Sequence, residues 1–120
     1  RFMGLGVVLY KNDKEIESLS LLAEDENGSN NVAEYLSCEY ALKLAKQRKI
    51  KKITVYGDSM LVIKQINGEY KVKAAHLKPL RENILNLKKY FDEVNFFYVM
   101  RNENKRADEL ANEALDTLYL

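Results

Sequence analysis

The stretch "VYGDSMLVI", residues 55–63, changes period at Asp58: an apolar, β-branched run that reads as a strand stops there, and apolar residues at helical spacing take over. Aspartate is a good N-cap at such a junction, because its carboxylate accepts hydrogen bonds from the free N–H groups of the first helical turn. The junction is also where a ligand would be met, since open α/β sheets gather ligands at the carboxyl ends of their strands. On this stretch alone, both roles for Asp58 stand.

Working outward, "KITVYG" (52–57) is the strand and residues 58–66 the helix. Upstream, "GLGVVLY" (4–10), the turn chemistry of "KNDKE" (11–15) and the alternation of "IESLSLL" (16–22) predict a hairpin over 4–22. "EDENGSNN" (24–31) is a polar loop, and apolar spacing predicts a helix from Val32 to about Gln47 with Asn31 as a natural cap. Downstream, "NGE" (67–69) breaks the chain, and Leu77–Phe91 reads as a helix that tolerates Pro79 in its first turn. "VNFFYVM" (94–100) is a strand and "NKRADELANEALDTL" (104–118) a last helix. The order β-β-α-β-α-α-β-α predicts an α/β fold in which helices cover a mixed sheet.

Composition narrows the class. A chain of 120 residues with 47% hydrophobic content suits one globular domain, 1–120, with its own core. The one cysteine, Cys38, has no partner for an intramolecular disulfide, and no leader-like or long apolar run is present. The expectation is a reducing compartment, the cytoplasm (nuclear or organellar in a eukaryote), with no membrane partner. Net charge is only +1, so bulk basicity points to no particular partner. Its distribution is uneven: acid gathers at Asp13, Glu15, Glu17, Glu24, Asp25 and Glu26, while "KLAKQRKIKK" (43–52) holds six basic residues in ten. A second basic stretch, "YKVKAAHLKPLR" (70–81), interleaves Lys71, Lys73, His76, Lys78 and Arg81 with apolar residues. Each run alone reads as a solvated face, and two of them in a small domain admit a polyanionic partner.

Two further acids fall near inward-facing stripes. Glu34 shares a helical face with Cys38, Ala41 and Ala45, and Asp108 borders the stripe of Ala107, Leu110, Ala114 and Leu118. A first-turn position near the positive end of a helix accounts for one such acid more easily than for all of Glu34, Asp58 and Asp108. Converging carboxylates repel unless protonated or neutralised, and hard oxygen donors suit Mg²⁺ or Mn²⁺. An acidic cluster flanked by basic patches fits two-metal phosphodiester hydrolysis.

With these residues placed, "NNVAEYLSCEYALKLA" (30–45), "VYGDSMLVIKQINGEYKVK" (55–73) and "RNENKRADELANEAL" (101–115) together resemble the three motifs of the ribonuclease H family, in its reverse-transcriptase-like branch. The resemblance covers nearly the whole chain. It implies a ribonuclease H-like α/β fold with a five-stranded mixed sheet. It also implies a metal-dependent endoribonuclease that cuts the RNA strand of an RNA–DNA hybrid with Mg²⁺ or Mn²⁺, two ions bound. Glu34, Asp58 and Asp108 take the catalytic and metal-binding positions. Asn30 and Asn31 fall beside the minor groove of the hybrid, Ser59 among the substrate-binding positions, Lys71 and Lys73 against the phosphates of its DNA strand, and Arg101 and Asn104 where the family contacts substrate or supports the metals. Asn31 is equally well read as a plain cap, and His76 as an ordinary exposed or phosphate-neighbouring residue. One departure stands out: family members begin with a strand ending in Asp-Gly, whose aspartate bridges the metals, and Arg1-Phe2-Met3 leads directly into Gly4. The expectation is an N-terminally incomplete domain without the central strand and fourth carboxylate. A nuclease-dead domain of the same fold, serving as an interaction module, is the alternative.

Overall fold

A computed structural model describes residues 1–119. Strands β1 (Phe2–Lys11) and β2 (Lys14–Glu24) pair antiparallel in register from Phe2 opposite Glu24 to Lys11 opposite Lys14. The turn between them puts both Asn12 (φ 52) and Asp13 (φ 65) in the left-handed region, as a tight hairpin turn matched to strand twist requires. Strand β1 alternates cleanly. Met3, Leu5, Val7 and Leu9 are buried on one face, and Gly4 and Gly6 lie on the other, where helix α4 (Lys105–Asp116) packs.

Helix α1 (Asn30–Gln47) crosses the inner face and touches both β1 and β3 (Lys52–Gly57). Strand β3 pairs in parallel with β4 (Glu93–Tyr98), and α2 (Met60–Ile66) and α3 (Lys78–Lys88) complete the inner layer. Tyr35, Leu5, Leu42, Ile63, Ile66 and Ile84 are the largest fully buried side chains, so the core lies between the inner helices and the strands.

Helix and strand ends differ from the sequence expectation in telling ways. The cap of α1 is Ser29, whose hydroxyl accepts from Val32 N at 3.3 Å, and Asn30 and Asn31 lie inside the first turn. A short 3₁₀ turn, Ala75–Leu77, precedes α3, and the helix stops at Lys88 rather than Phe91. Helix α4 ends at Asp116, which leaves Leu118 outside its buried stripe and 42% exposed.

Among the described residues there are four strands in two separate ladders, β1-β2 and β3-β4, rather than one sheet carrying both the hairpin and 52–57. No strand lies between β1 and β3 to join them. Their facing edges border a cleft of about 1370 Å³, lined by Met3, Val7 and Leu9 on one side and Ile53 and Val55 on the other. Among the described residues no helix is long and apolar enough to cross a membrane.

Candidate active site

Three elements deliver Glu34, Asp58 and Asp108 to that same cleft. Glu34 sits in the second turn of α1, with its Oε1 directly over the end of β3, where a Cβ on Gly57 would collide with it. Glycine at the last position of the strand is therefore what lets the carboxylate settle there. Asp58 follows at once, and its backbone N–H bonds to Glu34.

The cap of α2 settles part of the question that Asp58 raised. Ser59 is the N-cap, its hydroxyl accepting from Val62 N at 3.3 Å. Asp58 is thus not committed to the helix, and its Oδ2 accepts from Asn104 Nδ2 at 3.1 Å. Asn104 is the N-cap of α4 by backbone position, yet makes no side-chain cap bond because its carboxamide is turned to Asp58. Asp108 lies in the first turn of α4 and pairs with Arg101 at 3.4 Å.

Residues 4–114 match the family model described as reverse transcriptase-like. The solved structure of LC11-RNase H1 in complex with an RNA/DNA hybrid superposes with a TM-score of 0.88 at 31% identity, covering 98% of this chain and 88% of that one. The chain belongs to the ribonuclease H family. Ribonuclease HI of Halobacterium salinarum is 40% identical over 88 residues, 73% of this chain and 44% of that protein. A bifunctional protein of Mycobacterium tuberculosis is 34% identical over 117 residues, 94% of this chain and 31% of its own length. The chain thus spans less than half the length of these curated relatives.

In this ribonuclease H-family domain, burial and then the negative charge of Asp58 push the Glu34 carboxyl from an ordinary 4.5 up to about 7, against the pull of the Asp58 N–H and Arg101. Burial likewise pushes the Cys38 thiol well above its usual range, with Glu34 and Asp58 adding to the effect, so Cys38 is an inert core residue here.

The three acids share the cleft without closing up. Among the described residues no three acidic, histidine or cysteine side chains form a ready cluster around one point. Asp58 accepts from Asn104, and Asp108 pairs with Arg101. The donors suit a hard divalent cation, since all are carboxylate oxygens.

The remaining expected residues sort into two groups. Asn30, Ser59, Arg101 and Asn104 line the cleft with the acids. Asn31, Lys71 and Lys73 line a second cavity of about 900 Å³, together with Ser29, Gln65 and His76. Arg1 and Ser29 line both spaces, and the Ser59 hydroxyl on the cleft side donates to Asn31 Oδ1 on the cavity side at 3.4 Å. Sequence reasoning missed Gly57, Tyr35 and Gln65. For Gln65 a signal existed, a carboxamide on the stripe of Val62, Ile63 and Ile66 in a helix whose other polar residue is Lys64.

Proposed function

We propose that this domain hydrolyses the RNA strand of RNA–DNA hybrids in a reaction dependent on divalent metal. The observation that carries the reading is the arrival of Glu34, Asp58 and Asp108, from α1, the end of β3 and α4, at one end of a single cleft. The hybrid held by LC11-RNase H1 supports the choice of substrate.

Glu34, Asp58 and Asp108 would hold the cation, Mg²⁺ or Mn²⁺ and two ions when fully loaded. The cation supplies Lewis-acid stabilisation of the phosphoryl group and activation of water. The chain's own residues do the rest. Glu34, with its carboxyl poised near neutrality, can hold or release a proton at the cleft. Asn30, Asn31 and Ser59 present donors and acceptors for the 2′-hydroxyl, the chemical mark of RNA against DNA at a given nucleotide. Arg101 exchanges its partner Asp108 for a phosphate, which its guanidinium can grip through two N–H groups. Lys71 and Lys73 meet the phosphates of the uncut strand. Hydrolysis adds the water oxygen to phosphorus and breaks the P–O3′ bond, leaving a 3′-hydroxyl and a 5′-phosphate.

The cleft has a role in this reading as well. Its two bare strand edges fit one extended segment running parallel to β3 and antiparallel to β1. Such a segment would end beside the acids, where the family resemblance puts a fourth carboxylate. A cytoplasmic setting, nuclear or organellar in a eukaryote, belongs to the same reading.

The test is labelled RNA presented in a hybrid, single-stranded and in duplex RNA, with and without chelator. Metal-dependent loss of the hybrid RNA alone supports the proposal. The second reading is a nuclease-dead interaction module of the same fold. Tight hybrid binding with no cleavage, in a well-folded protein carrying a strand in the cleft, would decide for it.

A further inference from the structure

Gln65 is 4% exposed, yet it lines the 900 Å³ cavity that Asn31, Lys71 and Lys73 also line. Both of its oxygens are committed. The side-chain Oε1 accepts from the Tyr35 hydroxyl at 2.7 Å, and the backbone carbonyl accepts from Arg81 Nε at 2.7 Å. The Tyr35 hydroxyl is the donor in this bond, and burial, which pushes its phenol up to about 12, keeps it protonated. This orients the carboxamide: with Oε1 turned to Tyr35, Nε2 takes the other side. Among the described residues Nε2 has no protein partner, and no buried side-chain nitrogen or oxygen is left unsatisfied. Nε2 must therefore reach open space, and the cavity is the space Gln65 lines.

The cavity's chemistry says what such a donor would meet. Arg1, Lys71 and Lys73 outnumber Glu26 and Glu69 on its walls, and Leu61 and Leu77 supply apolar surface. A positive, partly apolar pocket with a fixed amide donor suits a sugar–phosphate backbone. We propose that Gln65, latched by Tyr35 and Arg81, is a substrate-binding residue that donates a hydrogen bond from Nε2 to a phosphodiester oxygen of the strand that is not cut. This rests on the hybrid-hydrolase reading.

An amide donor bonded to a charged phosphate gains more than a neutral pair, and a donor whose rotamer is already fixed loses little entropy on binding. The informative variant is Gln65→Glu. It keeps the oxygen that Tyr35 bonds, and turns a second oxygen, negatively charged, toward the phosphate. Gln65→Ala removes the donor outright, and Tyr35→Phe frees the carboxamide to rotate.

The experiment titrates the full chain with a short RNA–DNA hybrid in chelator, following hybrid affinity and the Gln65 side-chain amide protons by NMR. Thermal melting checks each variant's fold. The proposal expects those protons to shift on binding. It also expects Kd to rise about tenfold for Gln65→Ala, more for Gln65→Glu, and a few-fold for Tyr35→Phe. In a cleaving preparation the loss should appear in KM, with kcat nearly unchanged. Affinity within twofold of wild type for a folded Gln65→Glu, or silent amide protons, overturns it. Cleavage with normal KM by that variant sinks this inference and spares the hydrolase reading. Gln65-dependent binding without any cleavage sinks hydrolysis instead. Wild-type protein that binds no hybrid sinks both.

Discussion

At the scale of single residues, Ser59 and Asp58 divide between them two jobs that a strand-to-helix junction can load onto one side chain. Ser59 holds the first turn of α2, which frees Asp58 to face Asn104 and Glu34. Ser59→Ala should therefore cost about 1 kcal/mol in denaturant melts. Asp58→Asn should leave stability nearly unchanged, abolish cleavage, and leave hybrid binding intact or tighter. A stability loss near 1 kcal/mol with normal turnover for Asp58→Asn would return that residue to a capping role.

Glu34 adds a pH signature at the same scale. Folded protein keeps the Glu34 proton up to about pH 7 and unfolded chain releases it near 4.5, so the folded state binds more protons inside that window. Metal-free stability contributed by Glu34 is then fully present below about pH 4.5 and falls as pH rises to about 7. The loss is at most about 3 kcal/mol at 1.36 kcal/mol per pH unit. Glu34→Gln, or saturating Mg²⁺, should flatten the slope in melts run across that range, and an unaltered slope would assign the pH dependence to other groups.

At the scale of elements, the position of Asp108 depends on how closely α4 can approach β1. Cβ atoms on Gly4 and Gly6 would strike the carbonyl oxygens of Ala111 and Ala107, so the helix backbone lies directly on the strand. Ser20, on β2, pins the same helix through Leu110 O at 2.6 Å. Gly6→Ala must push α4 outward, and with it Asp108, which follows Ala107. The expected result is a destabilisation of about 1–3 kcal/mol, with weaker metal binding. Calorimetry with Mn²⁺ on a still-folded variant checks it, and unchanged metal affinity would show that α4 tolerates the shift without moving the acid.

For the whole molecule, the controlling feature is the cleft between the two ladders. Backbone groups on the edges of β1 and β3 that face it have no strand partner among the described residues. Unpaired edges leave a domain marginal, so the 120 residues alone should exchange those amides quickly and cut hybrid poorly. An extended, apolar-alternating segment ending in Asp-Gly, seated in the cleft, should protect the edge amides of both strands in hydrogen exchange and raise cleavage together. Protection of one ladder only would mean that the segment does not bridge them.

Much of this was legible in the linear chain, because the deciding information was local. The apolar, β-rich run of residues 4–10, period 2 in 16–22, period 3.6 in 32–47, and the change of period at Asp58 are properties of neighbouring residues, and they located the strands and helices to within a few positions. The acids Glu34, Asp58 and Asp108 stood out because charge on or beside an apolar stripe conflicts with local pattern. Which of two adjacent polar residues caps a helix was not legible: Ser29 and Asn31, or Ser59 and Asp58, have similar intrinsic preference, and backbone geometry chose between them. Nor was the use of Gly57 and Gln65, since each depends on a group brought from elsewhere in the chain, the Glu34 carboxylate over one and the Tyr35 hydroxyl on the other. Tertiary structure alone decided that Asp58 is met by Asn104 from the start of another helix, because a contact between residues 46 positions apart leaves no trace in local period.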